Sequence, residues 1–202
     1  TPVMFIKHRA WLSTITLFAP LLFASCGNFQ LFSVTQSPAG TTTTIILVRH
    51  AERNPAELDP PLNAEGFIRR EALKAVVSEN GVTVIYVPDI LRNHQTVEPL
   101  KTDNLAPIVV IPNVDTLDTK ALANRLVNEW LTNHAGGVVL WVGNTGPVTD
   151  TQKGNLEEIY RRLGGTGRAP NNYSDLYIAV VPANGATRFI KTTYGGKSTQ
   201  DP

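Results

Sequence analysis

The sequence has few of the residues on which several common kinds of functional site depend. One cysteine, Cys26, stands among 202 residues, which excludes an intramolecular disulfide and a cysteine-rich metal site within this chain. Its four histidines lack the i, i+4 spacing of a helical zinc site. Charged residues make up 17% and the formal net charge is +1, so no general attraction to nucleic acid is expected. We expect no nucleic-acid partner on this ground, and we also expect no metal and no cofactor.

The chain also lacks an apolar run of the length that a membrane-spanning helix needs. Residues 10–23 are uncharged and largely apolar, but the run is shorter than about 20 residues and Pro20 interrupts it. A basic patch precedes it and two small residues follow, which is the pattern of a secretory signal peptide over residues 1–25. The small pair directly before Cys26 resembles a bacterial lipobox. We expect lipidation at Cys26 and a membrane-anchored, extracytoplasmic protein of the bacterial cell envelope; a plain signal peptide and an uncleaved anchor are the alternatives.

The remaining chain is predicted to hold one folded domain. Residues 26–42 are rich in Ser, Thr, Pro and Gly without charge, which indicates a lipid-anchored flexible tether. Apolar strands then alternate with helical periodicity over residues 43–194, and Asn184-Gly185 indicates a final hairpin. This alternation predicts an α/β fold: a three-layer α/β/α sandwich whose mostly parallel central sheet has an antiparallel edge hairpin. Residues 195–202 are predicted to form a loose tail.

Three short motifs stand at the ends of predicted elements. The first apolar strand ends in Arg49-His50, and Arg53 follows three residues later. The segment Leu62-Asn63-Ala64-Glu65-Gly66 opens the first helix, and Arg92 and Thr96 lie after the second strand. In open α/β sheets, ligands bind beyond the carboxyl ends of the strands. The Arg-His pair is therefore a candidate nucleophile with an anion-binding partner.

In this order the motifs resemble those of the histidine phosphatase superfamily, also called phosphoglycerate mutase-like. The resemblance covers about residues 43–194 and implies an α/β/α fold and phosphoryl transfer through a phosphohistidine at His50. It implies catalytic roles for Arg49 and Arg92, with Arg53 as a further phosphate ligand. Such a cationic surround lowers the pKa of a histidine and keeps it neutral, as a nucleophile must be. Short loops at 54–61 and 148–155 predict an open site for a small or protein-borne phosphomonoester.

One position departs from the family pattern. The fourth strand of the family normally ends in Gly-His, whereas this chain has Gly143-Asn144 and no histidine nearby. An asparagine can donate a hydrogen bond to phosphate, but it carries no charge and shuttles no proton. Losing one such donor costs on the order of 10²–10³ in rate. Two hypotheses follow: a weakened phosphomonoesterase, or an inactive pseudophosphatase that binds a phosphorylated ligand or protein partner at the cell envelope.

The other ionisable residues near the motifs are weaker candidates. Glu52 and Asp59 are close enough in sequence to protonate a leaving group, although solvated loop carboxylates are commoner than catalytic ones. We expect His94 to serve at the surface or in packing. His134 lies at a helix end, where an imidazole is often structural.

Overall fold

The computed structural model describes residues 35–55, 59–146 and 153–201. The predicted signal peptide, the predicted lipidation site Cys26 and residues 26–34 of the predicted tether lie outside these ranges, as do parts of the loops 54–61 and 148–155. Within the described ranges, no helix combines the length and apolarity that crossing a membrane requires.

Six strands and four helices alternate along the described chain. The strands are β1 (Thr42–Arg49), β2 (Val84–Pro88), β3 (Ile108–Ile111), β4 (Val138–Gly143), β5 (Asp175–Pro182) and β6 (Arg188–Thr193). The helices are α1 (Ala64–Glu79), α2 (Leu91–Thr102), α3 (Thr119–Asn133) and α4 (Asn155–Arg162), with a 3₁₀ turn at Asn113–Thr116. The strands and helices fall where the sequence periodicity predicts them, with small shifts at their ends. The 3₁₀ turn was not predicted.

The strands form one mixed sheet in the order β3-β2-β4-β1-β5-β6. The pairs β3–β2, β2–β4 and β4–β1 are parallel, whereas β5 runs antiparallel to both β1 and β6. The predicted α/β fold is thereby confirmed, with a mostly parallel sheet and an antiparallel hairpin at one edge. Since β1 and β4 are parallel neighbours, their carboxyl ends lie side by side.

Hydrophobic cores cover both faces of the sheet. Ile45 and Leu47 of β1 pack with residues of α3 and α4, while Ile46 and Val48 pack with residues of α1 and α2 on the other face. Successive strand residues point to opposite faces, so a strand that is covered on both faces needs a continuous apolar run. The apolar run before Arg49 therefore reflects its central place in the sandwich.

The amino-terminal end of the described chain is more ordered than the tether prediction implies. Thr35 Oγ1 donates a hydrogen bond to the Arg162 carbonyl at 2.8 Å, and Ser37 Oγ donates to the Val181 carbonyl at 2.7 Å. Both hydroxyl residues are buried. The packed domain thus begins by Thr35. Composition did not indicate this because a serine or threonine hydroxyl can bond either water or a nearby backbone carbonyl.

The segment 195–201, predicted to be loose, is also held against the domain. Arg69 donates to the carbonyls of Tyr194 and Gly196 at 2.7 and 3.1 Å. Thr199 Oγ1 donates to Glu65 at 2.7 Å, and the Asp201 carboxylate accepts from the Tyr173 backbone N–H at 2.7 Å. The prediction failed because these partners are distant in sequence, so no local pattern in the segment records them.

Candidate functional site

The ends of β1 and β4 place His50 and Asn144 next to each other. In the parallel register Arg49 lies opposite Gly143, and the His50 backbone N–H donates to the Gly143 carbonyl at 3.0 Å. A cavity of about 290 Å³ opens at this point and is lined by Arg49, His50, Arg53, Arg92, Asn144, Thr145 and Gly146. The candidate site residues predicted from the sequence, apart from Cys26, therefore line one cavity. Their chemical roles stay predictions at this stage.

The His50 imidazole is buried and its tautomer is fixed. Only 2% of the residue is exposed, and Nδ1 lies 2.7 Å from the Ala51 carbonyl oxygen. A carbonyl can only accept a hydrogen bond, so Nδ1 carries the proton and Nε2 keeps its lone pair. Burial lowers the pKa of His50 well below its usual value, and the charges of Arg49, Arg92 and Arg53 lower it further.

Arg49 is held in place by the loop that precedes β5. Its Nη1 donates to the Asn171 carbonyl at 2.9 Å and its Nη2 donates to the Tyr173 hydroxyl at 3.1 Å. The guanidinium carbon also lies 3.8 Å from the centre of the Tyr173 ring. Burial lowers the pKa of Arg49, but a guanidinium stays protonated in proteins. A fixed positive charge thus stands beside the imidazole.

Arg92 and Arg53 complete the cationic lining of the cavity. Arg92 lies in the first turn of α2, and its buried Nε has no hydrogen-bond partner in the part of the chain described. Its Nη1 lies 3.6 Å from Asp59. Arg53 lies on the loop after His50, where its backbone pairs with Leu62 as an isolated bridge. Three guanidinium groups around one cavity suit a ligand with several anionic oxygens.

Thr96, one helical turn after Arg92, links α2 to the loop that follows His50. Its hydroxyl donates to the Arg92 carbonyl at 2.7 Å and accepts from the Ala51 backbone N–H at 3.0 Å. Thr96 is fully buried. The contact fixes the backbone immediately after His50 and ties it to the helix that carries Arg92.

The Leu-x-x-x-Gly segment packs against the same loop. A side chain at Gly66 would place its Cβ 2.1 Å from the Glu52 carbonyl oxygen, so only glycine fits there. Asn63 caps α1 by accepting from the Gly66 backbone N–H at 2.9 Å, and its own N–H donates to the Glu52 carbonyl at 3.0 Å. This segment therefore packs against the loop after His50 and holds it at the Glu52 carbonyl.

Glu52 is not available as a proton donor at the surface. It is fully buried, and both carboxylate oxygens accept hydrogen bonds from Arg69 Nε at 2.8 and 2.9 Å. The interpretation of Glu52 as a solvated loop acid is therefore wrong. Asp59 does lie in solvent, since 59% of its side chain is exposed beside Arg92.

The two remaining histidines in the described ranges have the structural roles expected of them. His94 Nε2 lies 2.7 Å from an Asp89 carboxylate oxygen, on an exposed part of the surface. His134 caps α3, and its Nε2 lies 2.9 Å from the Tyr86 hydroxyl. Neither residue lines the cavity.

Asn144 presents an unsatisfied amide to the cavity. The residue is 8% exposed, and neither Oδ1 nor Nδ2 has a hydrogen-bond partner among the described residues. Its backbone is fixed, because its N–H donates to Asn155 Oδ1 at 2.8 Å and its carbonyl accepts from the Leu156 N–H at 3.2 Å. Buried polar groups are normally paired, so an unpaired amide lining a cavity indicates a place for a ligand.

Sequence reasoning did not identify Tyr173 and Asn155, two residues that organise the cavity. Tyr173 contacts both Arg49 and His50, and Asn155 anchors the backbone of Asn144. Neither stands in a recognisable motif. The one signal in the sequence for Asn155 is its place at the start of α4, because Asn is common at helix ends.

The described ranges contain no cluster of three or more His, Cys, Asp or Glu residues able to hold a metal ion. The cavity's cationic lining instead has the chemistry of an anion site.

Known proteins with the same architecture were found among solved structures. A protein described as an α-ribazole-5′-P phosphatase from Escherichia coli is 11% identical, with a TM-score of 0.56, and the match covers 78% of this chain and 99% of that chain. The α-ribazole phosphatase from Shigella flexneri is also 11% identical, with a TM-score of 0.55 over 78% and 100%. A protein described as the phosphohistidine phosphatase SixA from Agrobacterium tumefaciens is 19% identical, with a TM-score of 0.44 over 73% and 97%. At these identities the first two matches establish the fold.

The family follows from the sequence profile. The profile of the histidine phosphatase superfamily (branch 1) matches residues 45–199, which is more than half of the chain. This chain belongs to the histidine phosphatase superfamily. Among curated proteins, no match to the chain was found.

Proposed function

We propose that this protein is a phosphomonoesterase that transfers a phosphoryl group to Nε2 of His50. The observation that carries the proposal is the state of the imidazole. It is buried, its lowered pKa favours the neutral form, its Nδ1 lies 2.7 Å from the Ala51 carbonyl oxygen, and three arginines surround the cavity that it lines. A neutral, oriented imidazole is the nucleophilic form.

In the first step Nε2 attacks phosphorus, so that an N–P bond forms and the ester P–O bond breaks. The leaving oxygen takes a proton from solvent and departs as an alcohol. In the second step water attacks the phosphohistidine, which releases inorganic phosphate and restores His50. Arg49, Arg53 and Arg92 hold the phosphoryl oxygens and stabilise their charge in both transition states.

Asn144 has a smaller part than a histidine would have at the same place. Its Nδ2 donates a neutral hydrogen bond to a phosphoryl oxygen, whereas a protonated imidazole would donate a charge-assisted one of roughly twice the strength. The proposed enzyme is therefore slower than a relative with a histidine there. Its substrate is a small or protein-borne phosphomonoester.

The proposal includes export and anchoring. The basic patch, the apolar run and the small pair before Cys26 support cleavage after residue 25 and lipidation of the cysteine. The phosphatase would then act outside the cytoplasm, on the membrane of the bacterial cell envelope. Metabolic labelling with a fatty acid tests this: label is expected on the wild-type protein, and label that persists in Cys26→Ala would contradict it.

A second candidate function is ligand binding without turnover. It is favoured by one observation, the buried Asn144 amide with both polar atoms unpaired. A pseudophosphatase would use this amide and the arginines to hold a phosphorylated ligand or protein partner at the cell envelope.

Turnover of p-nitrophenyl phosphate by the purified full chain distinguishes the two functions. Wild type is compared with His50→Ala, Asn144→His and the matched surface control His94→Ala. The enzyme is supported by wild-type turnover that disappears in His50→Ala and persists in His94→Ala. Silence in wild type with turnover in Asn144→His supports the pseudophosphatase. If no variant turns over substrate or binds phosphate, the proposed site is wrong.

A further inference from the structure

Tyr173 contacts both members of the Arg-His pair, although no motif includes it. It is 3% exposed and lies in the loop 171–174 just before β5. Its hydroxyl accepts from Arg49 Nη2, its ring face lies under the Arg49 guanidinium, and its ring centre lies 5.6 Å from that of His50 at 69°. The Arg49 side chain is long and flexible, so its contacts with both the ring face and the hydroxyl of Tyr173 restrict its position strongly.

The loop that carries Tyr173 is itself held by two carboxylates. Asp175 Oδ2 accepts from the backbone N–H groups of Asn171 and Asn172 at 2.8 and 2.9 Å. Asp201 Oδ1 accepts from the Tyr173 backbone N–H at 2.7 Å. The loop contains no helix or strand, so these hydrogen bonds fix the position of Tyr173.

Asp201 belongs to the segment 195–201, which also touches the loop after His50. Asp201 Oδ2 accepts from the Ser198 N–H at 3.2 Å, and Gln200 Nε2 donates to the Arg53 carbonyl at 3.2 Å. On its other side the segment is bound through Arg69, the partner of buried Glu52. The segment therefore joins the loop that carries Arg53 to the loop that carries Tyr173.

We propose that Tyr173 and Asp201 are positioning residues that hold Arg49 against His50, which makes the segment 195–201 a working part of the site. Asp201 acts on the backbone of Tyr173, and Tyr173 acts on the Arg49 side chain. Neither residue lines the cavity, so neither is expected to touch the substrate. The part of the inference that concerns turnover rests on the proposed function, whereas the placement of Arg49 does not.

The first test measures the pKa of His50 by NMR titration of the full chain, and it needs no activity. The charged groups that face His50 are Arg49, Arg53 and Arg92. In Tyr173→Phe the ring remains and the acceptor is lost, so Arg49 moves away and the pKa of His50 rises. Tyr86→Phe is the matched control, because it removes a buried hydroxyl that bonds Glu129 and His134 away from the cavity; here the pKa of His50 stays as in wild type.

Asp201→Ala, which removes the acceptor of the Tyr173 backbone N–H, separates positioning from simple electrostatics by the sign of its effect. Losing a negative charge would by itself lower the pKa of a nearby histidine. Release of Tyr173 and Arg49 instead raises the pKa of His50, and this rise is the expected result. An unchanged or lowered pKa in Asp201→Ala, or an unchanged pKa in Tyr173→Phe, would overturn the proposal. If Asp201→Ala does not fold, Tyr173→Phe decides alone.

The second test uses p-nitrophenyl phosphate. Since Arg49 binds phosphate oxygens, Tyr173→Phe is expected to raise KM about 10-fold, the usual effect of weakening one hydrogen bond to a charged group. The unfolding midpoint should match that of Tyr86→Phe. A fall in stability with KM unchanged would show that Tyr173 is only structural. If wild type shows no turnover, the proposed phosphatase fails, and the titration still decides the placement of Arg49.

Discussion

The ends of two neighbouring strands, β1 and β4, face the same cavity but present very different side chains to it. β1 delivers Arg49 and His50, and the cations Arg53 and Arg92 stand around them. β4 delivers Asn144, a neutral amide with no partner within the described residues. A side chain holds the backbone at each end: Thr96 accepts from the Ala51 N–H after β1, and Asn155 accepts from the Asn144 N–H after β4.

The two strand ends carry different information: the β1 end indicates the family, and the β4 end bears on the proposed activity. The motifs that match the superfamily are those that build the β1 end, including Gly66 and Thr96, which support it from the helices. At the β4 end Asn144 stands where the family pattern has a histidine, and its amide offers a donor and an acceptor without charge. The β1 end therefore identifies the family and carries the proposed nucleophile, and the residue at the β4 end is expected to set how fast the proposed reaction runs.

Removal of the nucleophile should have the largest effect. We expect His50→Ala to lower kcat on the order of 10⁴–10⁶-fold, because no covalent intermediate can then form. Turnover of p-nitrophenyl phosphate and trapping of a ³²P-labelled intermediate are the measurements. His94→Ala is the control, since His94 pairs with Asp89 at the surface. Equal turnover in His50→Ala and wild type would place the chemistry elsewhere.

The cationic side of the comparison is tested by Arg92→Ala. Loss of one guanidinium from the transition-state surround should lower kcat/KM on the order of 10²–10³-fold. Arg125→Ala is the matched control, because Arg125 forms surface ion pairs with Asp115 and Glu129. A similar small loss in both variants would remove Arg92 from the proposed site.

The β4 end can be restored by Asn144→His. A charged donor beside the phosphoryl group should raise kcat by on the order of 10²-fold, the inverse of losing such a donor. Asn144→Ala should change activity in the opposite direction. If Asn144→His is slower than wild type, the amide has a role that an imidazole cannot fill, and the comparison between the strand ends must be revised.

A smaller effect, on stability, is expected at the support of the β1 end. Thr96→Val keeps the shape but leaves the Ala51 N–H without its acceptor, which should lower the free energy of unfolding by about 1–3 kcal/mol. Thr132→Val, which loses a hydroxyl bond on the exposed face of α3, should cost less. Denaturant unfolding of both variants measures the difference. Equal losses of unfolding free energy in the two variants would mean that the buried Thr96–Ala51 bond stabilises the protein no more than the exposed Thr132 bond does.

The mildest perturbation is pH. The proposed nucleophile is the neutral form of His50, and burial together with three arginines lowers the pKa of His50 well below the usual 6.5. Activity should therefore persist as pH falls through 6.5, where an ordinary histidine would become protonated and inactive. The same shift makes the folded state lose stability below the pKa of the unfolded chain, because the unfolded state then binds the extra proton. A pH–rate profile for kcat/KM that falls with a midpoint of 6.5 or higher would contradict this environment for His50.

Much of the fold and of the β1 end could be predicted from the sequence. The apolar run before Arg49 indicates a strand covered on both faces, and its abrupt end indicates where a ligand binds. Gly66 and Thr96 are recognisable as members of the family motifs, and the structure supplies the reason for each: lack of space at Gly66 and a buried hydroxyl bond at Thr96. Asn144 is recognisable as a departure because the strand before it is clear.

The support of Arg49 and the burial of Glu52 could not be predicted. Tyr173 is 124 residues from Arg49 in sequence, and Arg69 is 17 residues from Glu52. A carboxylate in a polar loop has the same appearance in the sequence whether water or a buried arginine solvates it. Burial depends on what packs over the loop, which is decided by segments elsewhere in the chain.

The sequence by itself determined the strand that carries His50, the superfamily motifs and the loss of the second histidine. All of these are local patterns of residue type and spacing. The tertiary structure alone decided that Arg49 rests on Tyr173, that Glu52 pairs with Arg69, and that the segment 195–201 is bound beside the site. These contacts join residues that are apart in the chain, and they form because the packed sheet and its covering helices bring those residues together.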